Sequence, residues 1–379
     1  MPSQLDMPQV SDELREEMQA GFAAIQSGDL EMAREIFIVL LEADPALATA
    51  HLGLGRVFGA EGDHRRALEH FQEACALQPE LAPAHLFCAE THEQLGETEE
   101  ALACYDATIA INPATGFGYI RKFQLLERLG REEEAQETLR DAVRHSPQDP
   151  RLRTALANAL TRSGEVEKGE SEFQRAIDLQ PDNWHGHFGL GATLLRAGKY
   201  GPARDALTRA ARLAPDRSTV HQALGAALSG LGEHAKAIKA YDEALRLEPS
   251  NMRSIVGGAM ARSASGLHQE ALDMLRNVGR LGNRVPPVQK ALGDVCMAMG
   301  RYADAVDVYR AMILNSRRMG ETNPELVALA RSEGDADPEA FAKRLQDGLS
   351  SHMGAVGNEL RANPNTLRER LMSRRRRRA

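Results

Sequence analysis

Large side chains are scarce in this 379-residue chain: aromatic residues make up 4 %, with a single Trp. So few rings cannot fill a wide globular core, whereas the abundant Ala, Leu and Gly suit thin layers of closely packed helices. Long apolar runs are missing too. The longest, Ile36 to Leu41, is far too short to span a bilayer, and no basic stretch followed by an apolar run opens the chain. A soluble, cytoplasmic protein is the expectation. Cys75, Cys88, Cys104 and Cys296 form no C-x-x-C pair and read as small buried hydrophobes in a reducing compartment. G-x-x-x-x-G-K-[ST], G-x-S-x-G and H-E-x-x-H, the motifs of phosphate binding, serine nucleophiles and zinc proteases, do not occur. An enzyme is therefore not expected, nor a metal or a cofactor.

What the chain has in abundance is repetition. Glycine recurs at Gly28, Gly62, Gly96, Gly130, Gly164, Gly198, Gly232, Gly266 and Gly300, always 34 residues apart. Proline follows the same step at Pro45, Pro79, Pro113, Pro147, Pro181, Pro215 and Pro249. If this proline is given place 32 of each unit, the first unit is 14–47 and the ninth 286–319. Place 20 is then Ala in every unit but one, where Gly169 stands, and place 24 is Phe37, Phe71, Tyr105, Leu139, Phe173, Leu207, Tyr241, Leu275 and Tyr309. Apolar residues at places 4, 7, 8 and 11 trace one stripe of a first helix, which the glycine ends in a left-handed turn. A second helix carries the small residue of place 20, which allows close approach, and the large one of place 24, which fills the gap; proline stops it. One such hairpin cannot bury its stripe alone, so neighbours must stack.

These places, with Gly or Ala at place 8 (Gly55, Ala89, Gly191, Gly225, Gly293), resemble the tetratricopeptide repeat family over residues 14–319. The resemblance implies an all-α, right-handed superhelical solenoid of antiparallel helix pairs, with first helices lining a concave groove. The expected organisation is an N-terminal extension over 1–13, nine tandem repeats over 14–319, a degenerate helical cap over 320–353 and a basic tail over 354–379. Phe123 at place 8 and Lys122 at place 7 depart from the pattern in the fourth repeat. The recurring His51, His85, His187 and His221 all take place 4, so they read as packing or helix-start residues rather than ligands.

Helical geometry puts places 2, 6, 9 and 13 opposite the buried stripe, making them the groove wall. In repeats four to six that wall holds Arg121, Gln124, Arg128, Arg151, Asn158, Arg162 and Arg196 with no acidic residue. In repeats seven to nine it holds small or apolar groups, among them Ala223, Ala226, Gly257, Met260 and Ala291. Such a belt suits an acidic or C-terminal peptide segment, because the guanidinium fork matches carboxylates. The plain alternative is that these arginines pair with Glu93 and Glu127. The carboxylate clamp by which some family members grip chaperone tails has no match: around Asn158 the clamp places hold Thr154, Gly189, Thr219 and Ala223.

Two further surfaces stand out. Ile38 and Val39 occupy places that are mainly polar elsewhere, so the first repeat presents a face for self-association, a partner or the N-terminal extension. The net charge of −8 conceals a tail whose eight Arg, including Arg374 to Arg378, stand against two Glu. That tail could touch anionic membrane or nucleic acid. The expectation is a non-catalytic scaffold or adaptor binding a partner segment in its groove. The alternatives are a regulatory or substrate-presenting subunit of an enzyme complex, or a peripheral factor acting through the tail.

Overall fold

The computed structural model describes residues 12–278, 285–316, 322–332 and 337–362. Arg374 to Arg378 and most of the N-terminal extension lie outside the described residues. The described residues form helices and no strand, and no described helix is long and apolar enough to cross a membrane. The chain divides after Ala159 into two compact units.

The first unit contains four helix pairs: α1 (Asp12–Ser27) with α2 (Leu30–Ala43), α3 (Ala48–Glu61) with α4 (His64–Leu77), α5 (Ala82–Leu95) with α6 (Thr98–Ile111), and α7 (Gly116–Leu129) with α8 (Glu132–His145). Helix α9 (Pro150–Arg162) runs across the division. The second unit continues with α10 (Val166–Leu179), then α11 (Trp184–Arg196) with α12 (Tyr200–Leu213), α13 (Ser218–Gly230) with α14 (His234–Leu247), α15 (Met252–Ala264) with α16 (His268–Arg276), and α17 (Pro286–Ala298) with α18 (Tyr302–Leu314). Two more helices follow, α19 (Pro324–Arg331) and α20 (Pro338–Ala362).

Each pair is made by the same local chemistry. At the end of α3, Gly62 adopts a φ of 85°, which an L side chain would resist, and the reversal lets Gly62 and Asp63 donate their N–H groups to the carbonyls of Gly59 and Phe58. Asp63 then caps α4 by accepting from the Arg66 N–H. At the other end of the pair the periodic histidines act: the Nε2 atoms of His85, His187 and His221 lie 3.0, 2.9 and 2.9 Å from the carbonyls of Pro79, Pro181 and Pro215. Place 4 thus ties these first helices to the proline that precedes each, and Arg153 does the same to Pro147.

The place-24 side chains form the centre of every pair, and Phe37, Tyr105, Phe173 and Tyr309 are completely buried. Glycines make room for them on two sides. A Cβ on Gly55 would come within 2.5 Å of the Phe71 ring in its own repeat, and one on Gly53 within 2.4 Å of Phe37 in the repeat before. Gly225 and Gly257 flank Tyr241 in the same way. Place 6 is therefore a packing position against the preceding ring wherever it is small. In the fourth repeat, Phe123 is buried in place of the usual small residue, and Lys122 reaches Asp106 at 2.6 Å.

Helices α19 and α20 bury Leu326, Val327, Phe341, Leu345 and Leu349 in the same cluster as Tyr309 and Val295. The cap is therefore apolar on its inner side. Helix α20 runs on to Ala362, past residue 354 where the basic tail was expected to begin.

Candidate partner-binding face

The first helices of residues 12–159 carry an unbroken series of rings and guanidinium groups. Phe22 on α1 packs edge-on against buried Phe37, with centroids 5.1 Å apart, and Phe87 on α5 stacks on buried Phe71 at 5.5 Å. Between these two anchored rings stands Arg56 of α3, its Cζ 5.4 Å from the Phe22 centroid and 5.5 Å from that of Phe87. Arg56 is half-buried, and that burial pulls its guanidinium below the ordinary arginine range. Among the described residues no carboxylate pairs with it. One turn beyond Phe87, Glu90 pairs with Arg121 of α7 at 2.8 Å, and Arg121 lies over the Phe117 ring at 5.3 Å. Phe117 itself is 50 % exposed.

The basic belt read from the sequence has a different electrostatic character in the structure. Arg121 is held by Glu90, Arg128 by Glu93, and Arg151 by Asp149 at 2.8 Å. Glu93 also accepts from the Tyr105 hydroxyl, so it links the belt to the core. Gln124 and Asn158 are exposed in the same unit. In the second unit Arg162 and Arg196 are exposed at the ends of α9 and α11. The arginine belt is thus divided between two units, and its first three members are neutralised by acids on the chain itself.

The smooth distal wall needs correction. Met260 is exposed and Ala226 half-buried, but Ala223 is only 8 % exposed and packs with Leu207 and Ala203, and Ala291 is buried with Leu275. Both are place-6 residues, small because the preceding place-24 side chain leans on them. Place 9 of the ninth repeat holds Asp294, which accepts from Lys290, Tyr309 and, across from α20, Gln346 at 2.7, 2.7 and 2.8 Å. Burial and this carboxylate push the Tyr309 phenol well above its usual range.

On α2, Ile38 and Val39 are 42 % and 55 % exposed, and Met32, two turns earlier, joins them at 51 %. The H-x-H pair separates onto different partners: His185 stacks on Trp184 with centroids 3.8 Å apart, while His187 holds the Pro181 carbonyl. Three cysteines meet unexpectedly. Cys75 of α4 lies 4.0 Å from Cys88 of α5, and Cys104 of α6 stands near enough to Cys88 for its titration to depend on that thiol. The thiol proton donated by Cys88 favours the Cys104 thiolate, lowering that group to about 7 against the opposing effect of burial.

Comparison with known proteins places this architecture. Profiles described as "Tetratricopeptide repeat" match residues 19–82, 120–184 and 154–218, then 60–115, 218–251 and 290–321. Together they cover well over half of the chain. Among solved structures, YrrB, described as a TPR protein with an unusual peptide-binding site, is 20 % identical with a TM-score of 0.41, covering 50 % of this chain and 97 % of that one. The APC/C hetero-tetramer Cut9-Hcn1 is 20 % identical with a TM-score of 0.45, covering 69 % and 49 %. MamA from Desulfovibrio magneticus RS-1 is 25 % identical with a TM-score of 0.40, covering 42 % and 90 %. No curated protein matches. Repeated helix pairs, their glycine and proline punctuation and these profile matches agree: the chain belongs to the tetratricopeptide repeat superfamily.

Proposed function

We propose that this protein is a non-catalytic interaction scaffold that holds a segment of a partner protein on the first-helix face of residues 12–159. The observation that carries this reading is the run of Phe22, Arg56, Phe87 and Phe117 on successive first helices. All three rings lie against guanidinium groups, and the last is half in solvent. Aromatic and arginine side chains are the groups that dominate protein recognition, since they combine large contact area with directed hydrogen bonds. A wall of small residues would suffice if the face only closed the stack.

A photo-reactive phenylalanine analogue at position 117, compared with the same analogue at the exposed Arg65 of α4, tests the reading in cells that make the protein. Discrete adducts are expected from position 117 and not from position 65. Equal labelling at the two positions would remove the first-helix face as the binding surface.

A further inference from the structure

The groove reading leaves open what chemistry a partner segment must bring, and Arg56 answers it. A guanidinium in a protein ordinarily meets a carboxylate or is left in water, and along this face Arg121 and Arg128 each meet a carboxylate on the neighbouring first helix. Arg56 does neither. It is half-buried, its Cζ lies over two rings that are themselves anchored on Phe37 and Phe71, and no acid among the described residues reaches it. Gly53, one turn earlier on α3, has no side chain because Phe37 fills the space beside it, so Arg56 projects from a tightly packed helix. A planar cation held this way keeps its N–H edge for an acceptor of matching geometry, and the loss of rotamer freedom has been met before any ligand arrives.

We propose that Arg56 is the anion contact of this face, receiving a carboxylate of the bound segment as a bidentate pair while Phe22 and Phe87 take up the apolar side chain beside that carboxylate. The occupant is thus a partner peptide in which an acidic group adjoins an apolar one. The carboxylate comes either from Asp or Glu or from a free chain end. This proposal rests on the groove reading above and can fail independently of it.

The test is selection of random displayed peptides on the full chain in two formats, one with a free C-terminus and one with that end fused. Selected peptides are then measured by fluorescence anisotropy on the wild type, Arg56→Gln and Arg56→Lys. Enrichment of Asp or Glu next to an apolar residue in both formats marks a side-chain carboxylate, and enrichment only in the free-end format marks a terminal one. In either case Arg56→Gln is expected to weaken binding roughly ten- to hundredfold. Arg56→Lys, which keeps the charge without the fork, should restore only part of the loss, and its unchanged thermal melt would show that the fold is intact. Peptides that crosslink at position 117 but carry no acid, and bind Arg56→Gln as tightly as the wild type, would overturn the carboxylate assignment and leave the groove reading standing. Failure to select any peptide in either format would remove both.

Discussion

Thiols separated along the sequence by 13 and 16 residues acquire a common chemistry because three consecutive helices bring them together. Read singly, Cys75, Cys88 and Cys104 are small apolar core residues, and Cys88 is indeed buried. In contact, they polarise one another: one sulfur donates, and the sulfur that accepts becomes more acidic. Cys104 is half-exposed, so a reagent can reach it. Its reaction with iodoacetamide is therefore expected to rise through a midpoint near 7 instead of the ordinary thiol value of 9.0, because the reactive thiolate already dominates above the lowered pKa. Cys296, whose thiol burial pushes up, should stay unmodified over the same range. Peptide mass spectrometry against pH checks both. The Cys88→Ala variant should return the Cys104 midpoint upward, and a midpoint unmoved by that change would show that the contact does not set it.

Within a helix pair the decisive contacts are end ties and ring seats, and only the first kind is fully legible in one dimension. Gly62 and Pro79 mark backbone events that recur unchanged, so a period of 34 exposes them directly. The place-4 histidines follow from the same logic, and each is expected to stabilise its pair modestly. His187→Ala should cost about 1 kcal/mol, the usual net value of a hydrogen bond, seen as a lower denaturant midpoint with unchanged slope. His185→Ala, whose residue stacks on Trp184 without reaching the proline, serves as the control. Place 6 is harder to read. A wheel drawn for one helix puts Ala223 on the open wall, but its burial is decided by Leu207 in the preceding repeat, which the wheel does not contain. The same limit hid the pairing of Arg121 with Glu90, since partners on adjacent first helices stand one repeat apart less a turn. Arg56 was within reach of sequence reasoning: Phe22 and Arg56 share place 9 one period apart, and Phe87 follows at place 6. Density of positive charge points instead to the middle repeats, where Arg121, Arg128 and Arg151 turn out to be paired.

Across the whole molecule, three of the large place-24 side chains are tyrosines, Tyr105 in the first unit and Tyr241 and Tyr309 in the second, and all three are buried. A phenylalanine would fill the same seat, so the hydroxyl makes each seat sensitive to pH. Tyr105 donates to Glu93 and Tyr309 to Asp294, and ionising either would set a phenolate against a carboxylate. Burial, reinforced by a nearby carboxylate at Tyr105 and Tyr309, raises all three phenols above their ordinary value of 10.0. A raised folded-state pKa means that the folded chain keeps protons the unfolded chain gives up. The associated stability is then complete below the unfolded value and falls as the pH climbs beyond it. Denaturant midpoints measured from about pH 8 to about pH 11 should therefore hold steady at first and then decline, the decline beginning near the pKa of a free phenol. The phenolate absorbance of these three residues, read as the difference from a chain with phenylalanine at 105, 241 and 309, should appear together with loss of helix rather than ahead of it. In a Tyr105→Phe, Tyr241→Phe, Tyr309→Phe variant the rings remain and the ionisable protons do not, so the alkaline decline should be markedly shallower. An equally steep decline in that variant would assign alkaline sensitivity to the arginine and lysine ion pairs of the surface instead of the ring seats of the core.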